Sequence, residues 1–229
     1  MDHVTSPLQA DYLVYGDWVV VSPEQIIDKG AVAIANGSIL EVGSSDDLIK
    51  KYPSALRYGG AGRLVLPGFI NTHTHLFQTF LKGLGQGLQL RPWIQQVTTP
   101  AALVMTGRDA YLSAMVGLIE AVHSGVTAVF EYSYAWQDPK LHQAVLQAFV
   151  DIGLRGWLGL GLNDAGREFG VHPAFIQPVD ECLNKADRFY NQIQREGKAR
   201  INLALTPSSL RGLSKDGLRR LSDFTRTHH

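Results

Sequence analysis

From Leu64 onward, short apolar runs alternate with longer amphipathic stretches, and few folds accommodate that rhythm. Leu64-Val65-Leu66 reads as a buried strand that stops at Pro67-Gly68. Residues 107–124 carry Leu112, Met115, Leu118, Ile119 and Val122 at helical spacing, and Gly125 is placed to end that helix in a left-handed cap. Val126 to Phe130 is the next strand. Residues 138–151 form a second helix, opened by Asp138-Pro139 and ended near Gly153. Leu154 to Leu160 is a strand, Pro178 to about Arg195 a helix closed by Gly197, Ile201 to Leu205 a strand, and Ser214 to about Arg226 a helix. Such α/β alternation implies a parallel sheet with crossover helices. A doubly wound sheet and a TIM-like (β/α)8 barrel both fit. The longer, irregular segments 71–106, 131–137, 161–177 and 206–213 all follow strands, where a barrel builds its site, and this favours the barrel. Four units make half of such a barrel, so residues 63–229 are expected to be its first half.

Upstream, the rhythm is different. Tyr12–Tyr15 and Trp18–Val21 are β-rich and parted by the turn-like Gly16-Asp17. Ala31–Ile34 and Ser38–Val42 flank Asn36-Gly37, a strong hairpin signal because both turn positions require positive φ. Residues 1–62 are therefore expected to form a small β unit with too few apolar residues for a large core of its own.

Composition narrows the partners. The chain has 229 residues, 45% of them hydrophobic, which suffices for one sizeable core or for one large and one small domain. With 21 basic and 21 acidic residues the formal net charge is zero, so no charge excess points to nucleic acid or an anionic membrane. Cys182 is the only cysteine, which excludes an internal disulfide and suits the cytoplasm. Met1–Pro7 does not read as a signal peptide, and the longest apolar runs are too short to span a bilayer. A small, nearly neutral molecule is the expected partner.

The chemistry concentrates in Leu66-Pro67-Gly68-Phe69-Ile70-Asn71-Thr72-His73-Thr74-His75-Leu76, at the exit of the first expected barrel strand. Residues i and i+2 of an extended chain point to the same side, so the imidazoles of His73 and His75 can meet one ion. Neutral imidazole suits zinc, with iron and manganese as alternatives.

The run Pro-Gly-Phe-Ile-Asn-Thr-His-Thr-His resembles the first metal motif of the amidohydrolase superfamily. The chain looks most like the branch that contains atrazine chlorohydrolase and the cytosine, guanine and 8-oxoguanine deaminases. His75-Leu76-Phe77-Gln78, the stretch Leu90-Arg91-Pro92-Trp93 and Ser124-Gly125-Val126-Thr127-Ala128 also match, and so does the upstream β unit, since these enzymes begin with part of a β-sandwich. The resemblance implies that His73 and His75 are two ligands of one divalent ion. It implies further ligands, a His after strand five, a His after strand six and an Asp after strand eight, together with a Glu and a His for proton transfer, all beyond residue 229. The next residues are then expected to open a strand carrying His-X-His or a lone His. Relatives with two metals place a bridging Lys at the end of strand four. Here Lys198 precedes that strand, which implies a single ion. The implied activity is hydrolytic deamination of an N-heterocycle by a metal-activated hydroxide, with dechlorination or N-dealkylation of a triazine-like ring as the other chemistry. A homo-oligomer is implied for the full-length protein. The other reading is a catalytically incomplete fragment, or half-subunit, that needs the second barrel half.

Other residues carry two readings each. Gln78 is either a hydrogen-bonding partner of a heterocycle or a polar loop residue. Trp93 either covers the pocket or packs. Glu131 either touches substrate or orients a ligand histidine, or is a solvated loop carboxylate. Asn163, Asp164 and Arg167 line the pocket or make turns, and Thr206 and Ser208 face the site or close strand four. His123, His142 and His172 read as structural or surface residues, Cys182 as a small buried hydrophobe, and His228 and His229 as helix-tail residues. The Gly83–Gly87 stretch reads as a flexible loop, because it lacks the Lys-Ser/Thr ending of a phosphate loop.

Overall fold

The computed structural model describes residues 9–134, 136–195 and 200–228, so Met1–Pro7, Gly197, Lys198 and His229 lie outside the described residues. The chain divides into two compact units, Met1–Pro67 and Gly68–His229.

In the first unit, β1 (Tyr12–Ser22), β2 (Gln25–Ala35), β3 (Ser38–Ser44) and β4 (Leu56–Val65) form one sheet in the order β3-β2-β1-β4. A short helix, α1 (Ser45–Lys51), follows β3. β1–β2 and β2–β3 are antiparallel, and β1–β4 is parallel. The hairpin expected at Asn36-Gly37 is present, with φ of 51° and 73°. Leu13, Ala31, Ala33 and Leu48 form a small core.

Two expectations are corrected here. Gly16-Asp17 does not turn the chain; β1 runs through it, with a shift of register against β4. Leu64-Val65-Leu66 is not a buried barrel strand. Leu64 and Val65 pair with Trp18 and Val19 of β1, and Leu64 and Leu66 are 53% and 46% exposed. The glycines of residues 59–62 hid the strand that leads to Leu64. They read as a loop, yet they permit close approach: a Cβ on Gly59 would lie 1.8 Å from the Tyr15 carbonyl oxygen.

In the second unit, β5 (Phe69–Thr74), β6 (Val126–Tyr132), β7 (Arg155–Leu162) and β8 (Ile201–Pro207) are all parallel, in the order β5-β6-β7-β8. Each strand adds on the same side of the last, with no reversal of direction. A doubly wound sheet requires such a reversal; a barrel does not. The fold is four consecutive units of a (β/α)8 barrel. Barrel strand one therefore starts at Phe69, beyond the Pro-Gly. Gly68 is needed there because a Cβ would lie 2.1 Å from Cγ2 of Thr127 at the start of β6.

The segment between β5 and the first long helix contains a 3-10 turn (Leu76–Leu81), α2 (Leu90–Trp93), a π turn (Ile94–Thr98) and α3 (Thr99–Val104). The long helices are α4 (Gly107–His123), α5 (Pro139–Ile152), α6 (Val179–Arg195) and α7 (Lys215–Thr227). Their caps follow the sequence. Thr106 and Asp109 form a capping box, Asp138 precedes Pro139, and Ser214 accepts from the Gly217 amide. Gly153 closes α5 with φ 76°, and Gly125 follows α4 with φ 79°. Val129, Leu158 and Ile201 from the strands meet Leu118, Val145, Phe149 and Phe189 from the helices. Each such side chain stabilises the fold by about 1.5–3 kcal/mol through burial. No single helix among the described residues is long and apolar enough to cross a membrane.

Candidate metal and substrate site

The end of β5 carries both expected ligands. The His73 amide donates to Asn71 Oδ1 at 3.2 Å, and beyond Thr74 the chain leaves the strand. The two imidazoles converge, with Nε2 of His73 3.2 Å from Nε2 of His75 and the rings at 89° to each other. His75 Nδ1 lies 2.7 Å from the Tyr132 carbonyl oxygen at the end of β6. A carbonyl only accepts, so Nδ1 carries the proton and Nε2 presents its lone pair. Burial holds the His75 pKa below the ordinary value, aided by the neighbouring His73, while the Tyr132 carbonyl opposes the shift. His75 is therefore neutral at neutral pH, the form that binds a cation.

Two imidazoles with facing Nε2 atoms, one of them oriented through its second nitrogen by a carbonyl, are a donor pair suited to zinc and similar ions. The residues present thus fit two positions around one divalent ion. Among the described residues no group of three or more His, Cys, Asp or Glu gathers to complete a shell.

His75 lines a cavity of about 920 Å³, and Gln78, Trp93, Tyr132, Asn163 and His172 share its wall. Gln78 follows His75 by one 3-10 turn, its amide donating to the His75 carbonyl at 2.9 Å. Trp93 donates from Nε1 to the Leu84 carbonyl at 3.3 Å, and a Cβ on Gly85 would lie 2.8 Å from its Cδ1. The glycine-rich stretch folds onto Trp93, with Gly83, Gly85 and Gly87 all at positive φ.

Glu131 is placed differently. It is fully buried and is not among the residues lining this cavity. Its Oε2 accepts from the Leu76 amide at 2.8 Å, and its Oε1 has no partner among the described residues. Burial pushes its pKa up to about 8, against the Leu76 hydrogen bond that lowers it. Glu131 is a neutral acid at pH 7 that anchors the residue after His75. The reading of Glu131 as a solvated loop carboxylate is thus corrected, because strand alternation turns it away from solvent.

The same alternation explains the main residue missed in the sequence. Adjacent residues of β6 face opposite sides, so Tyr132, not Glu131, faces the histidines. Its ring centroid lies 5.3 Å from that of His73 and 5.6 Å from that of His75. Its hydroxyl donates to the Pro207 carbonyl at the end of β8, and burial raises its pKa. Counting from the apolar face of β6 was the signal that would have selected it.

The loops after β7 and β8 are tied together. Ser208 Oγ donates to Asn163 Oδ1. Asp164 accepts from the Ser214 amide at 2.7 Å and from its hydroxyl at 2.5 Å. Asn163 and Ser208 reach the cavity, whereas Asp164 and Arg167 line a separate hollow. Thr206 is buried, its hydroxyl without a partner among the described residues. His123 is exposed on α4, and His142 is buried, its pKa pulled down to about 3 chiefly by burial. His172 departs from its structural reading by lining the cavity, with Nδ1 accepting from the Ala174 amide at 3.2 Å. His228 is held by Asp187, 3.1 Å from its Nε2. Cys182 is buried, as expected.

Comparison with known proteins defines the class. Residues 64–229 match the Amidohydrolase family, and the chain belongs to that family. Two of its relatives are deaminases. The chain is 27% identical over 195 residues to a 5-methylthioadenosine/S-adenosylhomocysteine deaminase of Pyrococcus furiosus, covering 85% of this chain and 41% of that protein. It is 33% identical over 165 residues to a 5'-deoxyadenosine deaminase of Methanobrevibacter smithii, covering 69% and 35%. Among solved structures, an adenosine deaminase from Xanthomonas campestris with bound zinc aligns with a TM-score of 0.76 at 22% identity, over 97% of this chain and 48% of that one. Atrazine chlorohydrolase from Arthrobacter aurescens, complexed with zinc, aligns with a TM-score of 0.81 at 20% identity, over 95% and 51%. The chain thus spans between about a third and a half of the length of these proteins.

Proposed function

We propose that the protein is a metal-dependent hydrolase that removes an amino group from an N-heterocycle, with His73 and His75 as two ligands of one divalent ion, zinc before iron or manganese. The observation that carries this reading is the convergence of the two Nε2 atoms, with the His75 tautomer fixed by the Tyr132 carbonyl, at a cavity walled by aromatic and amide side chains. When bound, a divalent ion makes hydroxide available near neutral pH.

The chain's own residues do the rest. The Tyr132 carbonyl fixes the tautomer of His75 and turns its Nε2 toward His73, while burial keeps the ring neutral. Glu131, uncharged, holds the Leu76 amide and so fixes the backbone on which His75 stands; its role is positioning. Trp93 offers a flat face for a ring, and Gln78 an amide that both donates and accepts, as a heterocycle with ring nitrogens requires. The first unit, which ends at Pro67 rather than at residue 62, is read as part of a β-sandwich, and the second, from Gly68, as the first four barrel units. On its own the 229-residue chain is read as inactive, since two histidines fall short of the roughly three protein ligands a catalytic zinc takes. The full-length enzyme is read as cytoplasmic and homo-oligomeric, with a small heterocycle as partner.

The test is ammonia release by the full-length, zinc-loaded protein from a panel of amino-substituted purines, pyrimidines and triazines. Release from at least one, abolished in His73→Ala and His75→Ala, supports the reading. Chloride release from a chlorotriazine, with no ammonia from any amino-substituted ring, contradicts it.

A further inference from the structure

Two arginines stand on the wall of the same cavity, Arg91 from α2 and Arg211 from the loop after β8. Neither guanidinium has an ion pair or hydrogen bond among the described residues; Arg211 lies over the Phe169 ring, its Cζ 5.3 Å from the centroid. Nη2 of Arg91 lies 3.6 Å from the position a Cβ would take on the neighbouring Gly170. Two cations from distant segments thus pack against consecutive residues of one turn. Among the described residues no Asp or Glu lines the cavity. Glu168, in the same turn, lines the separate hollow with Asp164 and Arg167. Two guanidinium groups on one cavity wall, with no ion-pair partner among the described residues, attract an anion that enters there. The frame that carries Arg211 is fixed, because Asp164 ties the two loops through Ser214 and the Gly212 carbonyl accepts from the Asp164 amide at 3.0 Å. The cavity, at about 920 Å³, is also near the top of the range of small-molecule sites, about 300–1,000 Å³. A ring stacked at Trp93 leaves room for a substituent.

We propose that the substrate bears an oxyanion, a carboxylate or a phosphate, on the substituent of its heterocycle, and that Arg91 and Arg211 bind it together. The proposal rests on the heterocycle reading above. Arginine suits the task, since its planar fork matches both oxyanions.

The test is calorimetric binding to the full-length protein of three matched probes: 9-(3-carboxypropyl)adenine, its carboxamide, and 9-(3-phosphonopropyl)adenine. The acid is expected to bind roughly tenfold or more tighter than the amide, the worth of one or two charge-assisted hydrogen bonds. That ratio falls toward one as salt is raised. In the Arg91→Gln/Arg211→Gln variant the acid weakens to the level of the amide, whose own affinity stays within about twofold. The order of carboxylate and phosphonate tells which oxyanion the site prefers. Equal binding of acid and amide to the wild type overturns the oxyanion site and leaves the heterocycle reading standing. So does an acid preference that survives in the double variant. Failure of all three probes to bind overturns both. Arg211→Lys, which keeps the charge, retains part of the preference and separates lost charge from lost packing on Phe169.

Discussion

Replacing Glu131 by Gln keeps the shape of the side chain and its acceptor for the Leu76 amide, but removes the ability to ionise. In the native protein Glu131 is fully buried, with one oxygen unpaired among the described residues, and its pKa rises from 4.5 to about 8. The unfolded chain releases this proton near the ordinary carboxylate pKa. Between about pH 4.5 and pH 8 the native state therefore binds more protons than the unfolded state, and stability falls as pH rises through that window. At 1.36 kcal/mol per pH unit the full loss is on the order of 5 kcal/mol, an upper bound because water reaching the carboxylate softens it. Glu131→Gln has no such slope. Urea denaturation followed by tryptophan fluorescence at pH 5 and pH 8.5 measures the difference. The variant is expected to gain several kcal/mol on the wild type between the two pH values. Parallel pH dependence of wild type and variant would refute the account of Glu131 as a buried, neutral anchor.

Three more outcomes follow from the geometry. His142 is buried and neutral, its pKa lowered from 6.5 to about 3, so its contribution has the opposite slope: stability is lost as pH falls from 6.5 toward 3, and His142→Gln should flatten the acid limb of a urea-denaturation series. Gly68→Ala drives a methyl into Thr127 and should cost on the order of 3 kcal/mol by urea denaturation, partly restored by adding Thr127→Ala, a coupling that two independent sites would not show. Lys185 donates to the carbonyls of Trp136 and Gln137 and to Gln177 Oε1 at 2.8–3.0 Å, so Lys185→Met should free the loop after β6, seen as faster limited proteolysis there with α6 intact.

The barrel units were legible because each level of the sequence agreed. Helical spacing in residues 107–124, the Asp138-Pro139 start and Gly153 end of α5, and the apolar runs of β6 to β8 pointed to one architecture. The histidine pair was legible for a simpler reason: strand alternation alone puts i and i+2 together. What escaped depended on contacts between distant segments. β4 was hidden because glycines that look like a loop serve close packing on Tyr15, a fact only the partner strand reveals. Tyr132 was passed over for Glu131 because one residue decides which face a side chain takes, and the charged residue drew attention. The wall residues Arg91, His172 and Arg211 come from three separate strand-to-helix connections, Arg91 from the short helix α2 within the first, and no local pattern says that these connections meet.

The central claim is that His73 and His75 grip one cation, and zinc affinity tests it most directly. Competitive zinc titration of the full-length protein, compared with His75→Ala and with His172→Ala as the control from the same cavity wall, should show one site that weakens on the order of a hundredfold or more in the first variant and hardly at all in the second. Unchanged zinc affinity in His75→Ala would contradict the account.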